Sequence, residues 1–193
     1  MSETIQKQSY KQTEVGLIPE DWEIVEIKNN ITVARGGSPR PIQNYLTKHP
    51  NGINWIKIGD TSSKSKYIIS SVEKIIPDGI NNSREVKVGD FLLSNSMSFG
   101  RPYILKIKGC IHDGWLVLQN YQASFDTEYL YYELTSKHVF DQYIQKASGS
   151  SVLNLNKEIV NNVLLVKPPL TEQRAIATAL SDVDELLRSL EQL

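Results

Sequence analysis

The chain has 193 residues, 40% of them apolar, and a formal net charge of −1, which suits one well-filled core, or one domain with an appendage, but not two full domains. A single cysteine, Cys110, excludes an internal disulfide and a cysteine-rich zinc site and is typical of a reducing compartment. The first twelve residues are polar and no apolar run is long enough to cross a membrane, so we expect a soluble, cytoplasmic protein without membrane contact.

Taken in chain order, the first two thirds of the sequence predict short strands separated by turn residues. The predicted strands cover residues 22–27, 53–59, 67–76, 88–94, 103–109 and 114–119. Because no long helical segments lie between these stretches, a parallel βαβ arrangement is excluded and a mixed or antiparallel sheet is expected.

The last third of the sequence changes character. Residues 127–147 repeat apolar side chains at mostly helical spacing and predict one or two helices, and residues 149–156 form a polar loop before a final strand at 161–169. The predicted fold class is therefore α+β. A polar lead of residues 1–12 precedes one domain over 13–168, and a long helix follows over 169–193.

This last helix has the apolar spacing of a coiled coil. The proline pair at 168–169 ends the strand, Thr171 can cap the helix with its hydroxyl, and Glu172 suits the positive end of the helix dipole. Apolar residues recur at intervals of 4, 3, 4 and 3, at Ile176, Leu180, Val183, Leu187 and Leu190. The pattern predicts either pairing with another long helix or packing onto the chain's own domain.

The charges are unevenly distributed along the chain. Residues 28–108 carry thirteen Lys and Arg against five Asp and Glu, a net charge of +8, so the rest of the chain carries −9. Clustered positive charge of this kind is typical of surfaces that bind DNA phosphates, although lysines also occur on ordinary solvent-exposed faces. The charge pattern permits DNA binding without establishing it.

Within the basic segment, polar loops supply candidate DNA contacts. Arginine can bind guanine or phosphate through two hydrogen bonds, glycine allows a close backbone approach, and short hydroxyl and amide side chains suit base edges. The predicted DNA-binding residues are Arg35, Gly36, Gly37, Ser38, Arg40, Lys57, Lys64, Lys66, Asn95, Ser96, Ser98 and Arg101.

One short stretch has the residue types of a nuclease metal site. Asp78 precedes Glu85 and Lys87, and two carboxylates could hold a divalent cation that polarises a phosphate. The intervening Asn81 and Asn82 favour a surface turn, so a nuclease is kept only as an alternative function. Cys110 and His112 share one face of a strand, which favours packing over nucleophilic chemistry.

Several of these stretches, in this order, resemble the specificity subunits of type I restriction-modification systems. They are residues 13–27 (TEVGLIPEDWEIVEI), 55–60 (WIKIGD), 86–101, 128–134, 149–156 and, most specifically, 166–180 (VKPPLTEQRAIATAL). The resemblance runs from about residue 13 to the end of the chain. It implies a target recognition domain followed by a conserved spacer helix, with no catalytic residue, metal or cofactor of its own.

The resemblance also implies the partners. Such subunits read double-stranded DNA and hold methyltransferase subunits, which use S-adenosylmethionine, while a separate restriction subunit uses ATP and Mg. Family members usually carry two recognition domains, each with its helix, whereas this sequence has one of each. The expected function is half of a specificity subunit, paired through its helix with a second copy or a second half. A coiled-coil scaffold without DNA affinity is the remaining alternative.

Overall fold

Two five-stranded sheets form the centre of the structure, a computed structural model that describes residues 9–62, 65–95, 98–148 and 154–191. The strands are β1 (Tyr10–Thr13), β2 (Gly16–Pro19), β3 (Glu23–Glu26), β4 (Thr32–Arg35), β5 (Leu46–Thr47), β6 (Ile53–Ile56), β7 (Tyr67–Ile68), β8 (Glu73–Ile75), β9 (Arg84–Val86), β10 (Phe91–Ser94), β11 (Pro102–Leu105), β12 (Gly109–Ile111), β13 (Trp115–Gln119) and β14 (Leu164–Lys167). The helices are α1 (Ile27–Asn30), α2 (Thr127–Thr135), α3 (Lys137–Ala147), α4 (Lys157–Asn161) and α5 (Leu170–Leu190), with short 3₁₀ turns at Ile42–Asn44, Ile58–Asp60 and Pro77–Asn82.

The strand order confirms the predicted α+β class with mixed sheets. The first sheet has the order β4-β13-β10-β11-β7 and the second has the order β5-β8-β6-β12-β9. Neighbouring strands are antiparallel, except for the parallel pairs β7–β11 and β6–β12. Two smaller pairs, β1–β2 and β3–β14, complete the strand pairing of the described residues.

The first sheet is buried on both faces. In β10, Phe91 and Leu93 pack with the helices, whereas Leu92 between them packs against the second sheet. Successive strand residues point to opposite faces, so a sheet covered on both sides needs uninterrupted apolar strands. This explains why residues 91–93 and 115–118 are continuously apolar rather than alternating.

Cys110 belongs to the outer face of the second sheet. It is buried beside Trp55 and Ile75, and burial raises the pKa of its thiol. A protonated thiol enclosed by apolar side chains is a poor nucleophile, which supports the packing interpretation of Cys110.

The long helix α5 is attached to the domain by a buried glutamine. The Gln173 side chain is fully buried; its Oε1 accepts a hydrogen bond from the Asp126 backbone N at 2.8 Å. Its Nε2 donates to the backbone oxygens of Ser124 at 3.0 Å and Pro168 at 2.9 Å. All of the amide's polar groups are therefore satisfied inside the protein, at the start of the helix.

Two further hydrogen bonds fix the direction of α5. Trp22 Nε1 donates to the Glu172 carboxylate at 2.9 Å, and Tyr132 of α2 donates its hydroxyl to Asp184 Oδ2 at 2.8 Å. The predicted cap by Thr171 is wrong, because the helix already begins at Leu170 with Pro169 in the N-cap position. A proline side chain has no acceptor for the first turn, and the helix start has no side-chain cap. The contacts of Gln173 and Glu172 with the domain hold this end of α5 in place.

The apolar face of α5 is buried in its first part and exposed in the rest of the helix. Ile176 and the buried Ala177 pack against the core of the domain. From Leu180 onward the face is exposed, with exposed fractions of 39% for Leu180, 52% for Val183, 54% for Leu187 and 57% for Leu190.

Across the described ranges, no helix combines the length and hydrophobicity needed to span a bilayer.

Candidate nucleic-acid interface

The sheet topology brings several polar loops to one edge of the molecule. Because β10 is antiparallel to both β11 and β13, its end lies beside their beginnings, and β4 also ends there through its pairing with β13. In the second sheet, β6 and β12 are parallel and end together, and the turn 112–114 joins the end of β12 to the start of β13. We call this surface the loop edge: residues 35–41, 57–61, 94–95, 98–101 and 112–114.

Asp113 lies at the centre of the loop edge. Its Oδ1 accepts a hydrogen bond from Ser38 Oγ at 2.9 Å, and its Oδ2 accepts one from the Arg40 guanidinium at 3.1 Å. Its backbone oxygen accepts from Arg35 Nε and from Asn95 Nδ2, both at 3.1 Å. One residue thus holds four of the predicted DNA-binding side chains in a single cluster.

The Asp113 carboxylate is held in its charged form. Partial burial opposes ionisation, but the hydrogen bond from Ser38 and the positive charge of Arg40 outweigh it, and the pKa of Asp113 lies below its ordinary value. The carboxylate therefore stays ionised at neutral pH and places a fixed negative charge among the arginines of the loop edge.

Contacts within the protein leave no room for a side chain at Gly36 or Gly37. A Cβ atom on Gly36 would lie 2.0 Å from the backbone oxygen of His112, and one on Gly37 would lie 2.9 Å from that of Asn82. Gly36 N also donates to Trp115 O, and Gly37 N donates to Ile111 O. Gly36 thus approaches the turn that carries Asp113, and Gly37 approaches the 3₁₀ turn that ends at Asn82. These contacts set the position of the following Ser38 and Arg40.

The remaining polar residues line the other side of the loop edge. Ser98 and Arg101 border a groove of about 450 Å³ together with Thr61 and the Ile58–Gly59 turn. The Arg101 guanidinium carbon lies 5.4 Å from the centroid of the Tyr103 ring, close enough for a cation–π interaction. Lys57 begins the same turn, and its ammonium group is paired with Glu73.

Lys66 was predicted to bind DNA, but it does not lie at the loop edge. Its side chain is only 11% exposed, and its ammonium group pairs with Glu128 of α2, which also accepts a hydrogen bond from the Tyr67 hydroxyl. Burial alone would lower the pKa of Lys66, but the hydrogen bond and charge of Glu128 raise it above the ordinary value. Lys66 thus fastens β7 to α2. The predicted Lys64 and Ser96 fall outside the described residues.

Sequence reasoning missed Asp113 and His112. His112 Nε2 accepts a hydrogen bond from Ile58 N at 3.2 Å, which joins two loops of the edge. Burial lowers the pKa of His112, so its ring is neutral at pH 7. The available signal was the short polar turn His-Asp-Gly directly before an apolar strand, since such turns place their side chains at a sheet edge.

The alternative nuclease residues do not form a metal site in the structure. Asp78 and Glu85 are both exposed, the first in a 3₁₀ turn and the second on β9. The Lys87 backbone N donates to Asp90 Oδ2 at 2.9 Å within the tight turn that leads into β10. Among the described residues, no group of three His, Cys, Asp or Glu side chains is placed to hold a metal ion.

Comparison with known proteins gives one consistent result. Residues 19–193 match the family described as the type I restriction modification DNA specificity domain. Two relatives from Methanocaldococcus jannaschii are similar: the MjaX specificity subunit, 30% identical over 95% of this chain and 44% of its own length, and the type I restriction enzyme MjaVIII specificity subunit, 26% identical over 95% and 41%. The chain spans less than half of each relative.

Solved structures show the same fold. The HsdS subunit from Thermoanaerobacter tengcongensis superposes with a TM-score of 0.70 at 21% identity, over 91% of this chain and 40% of that one. The type I S subunit from M. genitalium superposes with a TM-score of 0.58 at 17% identity, over 89% and 41%. Since the family match extends from the end of β2 to the last residue, this chain belongs to the type I restriction-modification DNA specificity domain family.

Proposed function

We propose that this chain reads one half-site of an interrupted DNA target as half of a type I specificity subunit. The observation that carries the proposal is the convergence of the predicted residues on the loop edge. The residues gathered there are Arg35, Ser38, Arg40, Lys57, Asn95, Ser98 and Arg101. The residue types found there are those that contact phosphates and base edges in protein–DNA complexes.

The arrangement of the loop edge favours recognition of a DNA sequence over nonspecific electrostatic attraction to DNA. The loops arise from strands whose interior is fully packed, so the side chains are presented by a rigid scaffold. Arginine forks recognise guanine or phosphate with defined geometry, and Asp113 holds the guanidinium groups of both Arg35 and Arg40 in the free chain. In this proposal the chain works in the cytoplasm and docks methyltransferase subunits, while those subunits and a restriction subunit supply S-adenosylmethionine and ATP chemistry.

The proposal is tested by selection from a random duplex pool. The full chain is incubated with the pool without divalent metal, and bound duplexes are recovered and sequenced. A shared sequence is expected, because base contacts add specificity to the phosphate contacts. Recovery of duplexes without any shared sequence would contradict the proposal, and absence of all binding would favour the coiled-coil scaffold.

The purified chain is expected not to cut DNA. Asp78 and Glu85 are exposed and carried on separate elements, so they give a cation no enclosed site. Plasmid DNA incubated with the chain and Mg²⁺ should remain intact on a gel, and Asp78→Ala should behave identically. Cleavage that disappears in Asp78→Ala would restore the nuclease alternative.

The exposed part of α5 supports a paired helix in this proposal. The apolar side chains from Leu180 to Leu190 leave a stripe in water that a second helix would cover. Two copies related by a two-fold axis would present two loop edges, so the selected DNA should contain inverted half-sites. The 21 residues of α5 span roughly 32 Å at about 1.5 Å per residue, which sets half-site centres on the order of ten base pairs apart.

Charges placed on the stripe should separate the two copies. Leu180→Glu with Leu187→Glu puts two carboxylates on the stripe, and light scattering at about tens of micromolar should then give a monomer where the unchanged chain gives a dimer. Thr178→Glu with Ser189→Glu adds the same charges on the opposite face of α5 and should leave the dimer intact, because both residues are exposed there. A monomeric unchanged chain, or a dimer insensitive to the first variant, would show that the stripe does not pair.

A further inference from the structure

We propose that Asp113 reads a base, and that the base is cytosine. The inference rests on the proposed DNA-reading function and assigns one specificity-determining residue within it. Two acidic side chains belong to the loop edge. The Asp60 carboxylate accepts hydrogen bonds from the backbone N of Lys57 and of Val72, whereas Asp113 lies at the centre of the edge with its side chain 42% exposed. A carboxylate in such a place weakens attraction to every phosphate, so its presence calls for a compensating contact with DNA.

The Asp113 carboxylate has unused acceptor capacity. Each carboxylate oxygen offers about two acceptor sites; Oδ1 receives Ser38 Oγ and lies 3.6 Å from His112 Nδ1, while Oδ2 receives Arg40. The bond to Ser38 orients the carboxylate plane, because Ser38 follows Gly36, which packs against the backbone of His112, and Gly37, which packs against the backbone of Asn82. Arg40, which binds Oδ2, has a side chain that is 77% exposed.

Arg40 can leave Asp113 at little cost. The side chains are 77% and 42% exposed, and ion pairs of this kind contribute little to stability. A DNA phosphate or guanine can therefore capture Arg40 and uncover Oδ2. The backbone of Asp113 remains fixed meanwhile, because its oxygen is held by Arg35 and Asn95 independently of the carboxylate.

The exposed carboxylate selects cytosine on chemical grounds. An ionised carboxylate only accepts hydrogen bonds, and in the major groove donors occur at cytosine N4 and adenine N6. In an A·T pair the adenine amine lies between two acceptors, adenine N7 and thymine O4, and both repel a carboxylate. In a G·C pair the cytosine amine has one neighbouring acceptor, guanine O6, and none on its C5 side. Guanine and thymine present acceptors at this edge and are rejected. Asp113 thus lowers affinity for all DNA but restores it at a site with cytosine in the correct position.

The test compares duplexes selected by the unchanged chain and by Asp113→Asn. Asparagine keeps the size of the side chain and an oxygen for Ser38, but it also donates, and it pairs best with adenine N6 and N7. One cytosine position in the selected half-site should change to adenine or lose its preference by about tenfold, while the other positions stay the same. Affinity for arbitrary duplexes should rise, because one negative charge is removed.

Asp21→Asn is the matched control, since it removes the same charge from the exposed turn before β3. It should leave the selected sequence unchanged. If Asp113→Asn selects the same base at every position, the inference is overturned. It is also overturned if Arg40→Ala changes the same position and the double variant changes nothing more, because Asp113 then acts only by positioning Arg40.

A second measurement uses the unchanged chain and altered DNA, and it decides the question if Asp113→Asn does not fold. In the selected half-site, each cytosine is replaced in turn by 2-pyrimidinone, which lacks the N4 amine. One replacement should reduce affinity about tenfold or more, and uniform affinity across all replacements would refute cytosine reading. An unchanged chain that selects no sequence at all refutes the proposed function instead, so the two failures are distinct.

Discussion

Replacing Arg40 and Arg101 together by alanine is expected to lower affinity for the selected duplex by about 10²- to 10⁴-fold, since each specific arginine contact contributes about 1–3 kcal/mol. Arg40 is 77% exposed at one side of the loop edge, and Arg101 borders the groove at the other side. The two contacts should therefore add almost independently. Fluorescence anisotropy with a labelled duplex measures the loss directly.

Lys87→Ala with Lys108→Ala is the matched control for this double variant. Both lysines are exposed at the end of β9 and before β12, which is the opposite end of the strands from the loop edge. The control removes the same total charge, so it separates contact from net charge and should change affinity by less than about threefold. If the control is as weak a binder as the arginine variant, DNA does not bind at the loop edge.

Gln173→Leu should reduce the free energy of unfolding by about 3–5 kcal/mol, because three buried backbone groups lose their partners, at about 1–3 kcal/mol each. The three groups are the Asp126 N–H and the carbonyls of Ser124 and Pro168. Leucine has a volume similar to that of glutamine, so the loss reflects hydrogen bonding more than a cavity. Urea denaturation followed by circular dichroism gives the change in midpoint.

The neighbouring substitution Arg174→Ala provides the comparison. Arg174 is exposed on the same turn of α5, and its replacement should change stability by less than about 0.5 kcal/mol. If Gln173→Leu is as stable as Arg174→Ala, the buried amide does not attach α5 to the domain. The DNA-binding assay on the folded fraction then shows whether loosened attachment also affects recognition.

The spacing of apolar residues was sufficient to predict those strands and helices that pack in the core along most of their length. The apolar strands around residues 91–93 and 115–118 and the helices α2, α3 and α5 follow from spacing alone, whereas the short α4 was not predicted. The predicted strand 67–76 is instead two strands: Tyr67–Ile68 belongs to the first sheet and Glu73–Ile75 to the second. Which sheet a strand joins depends on pairing with distant residues, and spacing carries no information about it.

The candidate site was predictable by residue type but not by position. Arg40 and Lys66 look alike in the sequence, yet Arg40 is exposed while Lys66 is enclosed by Glu128, which is 62 residues away, and by tyrosine rings. Asp113 was missed because a single acidic residue argues against DNA binding when only net charge is considered. Its central position depends on the fold, which brings the loops of Arg35, Ser38 and Asn95 to the 112–114 turn.

The attachment of α5 through Trp22, Gln173 and Tyr132 has a consequence for how its length can vary. Because the helix cannot turn relative to the domain, each inserted residue would rotate everything beyond the insertion by about 100° around the helix axis. A change of one or two residues would turn the apolar stripe away from its original side, whereas seven residues restore its direction to within about 20°. Viable relatives of different helix length should therefore differ in steps of about seven residues, each of which adds about 10 Å between the loop edge and the helix end.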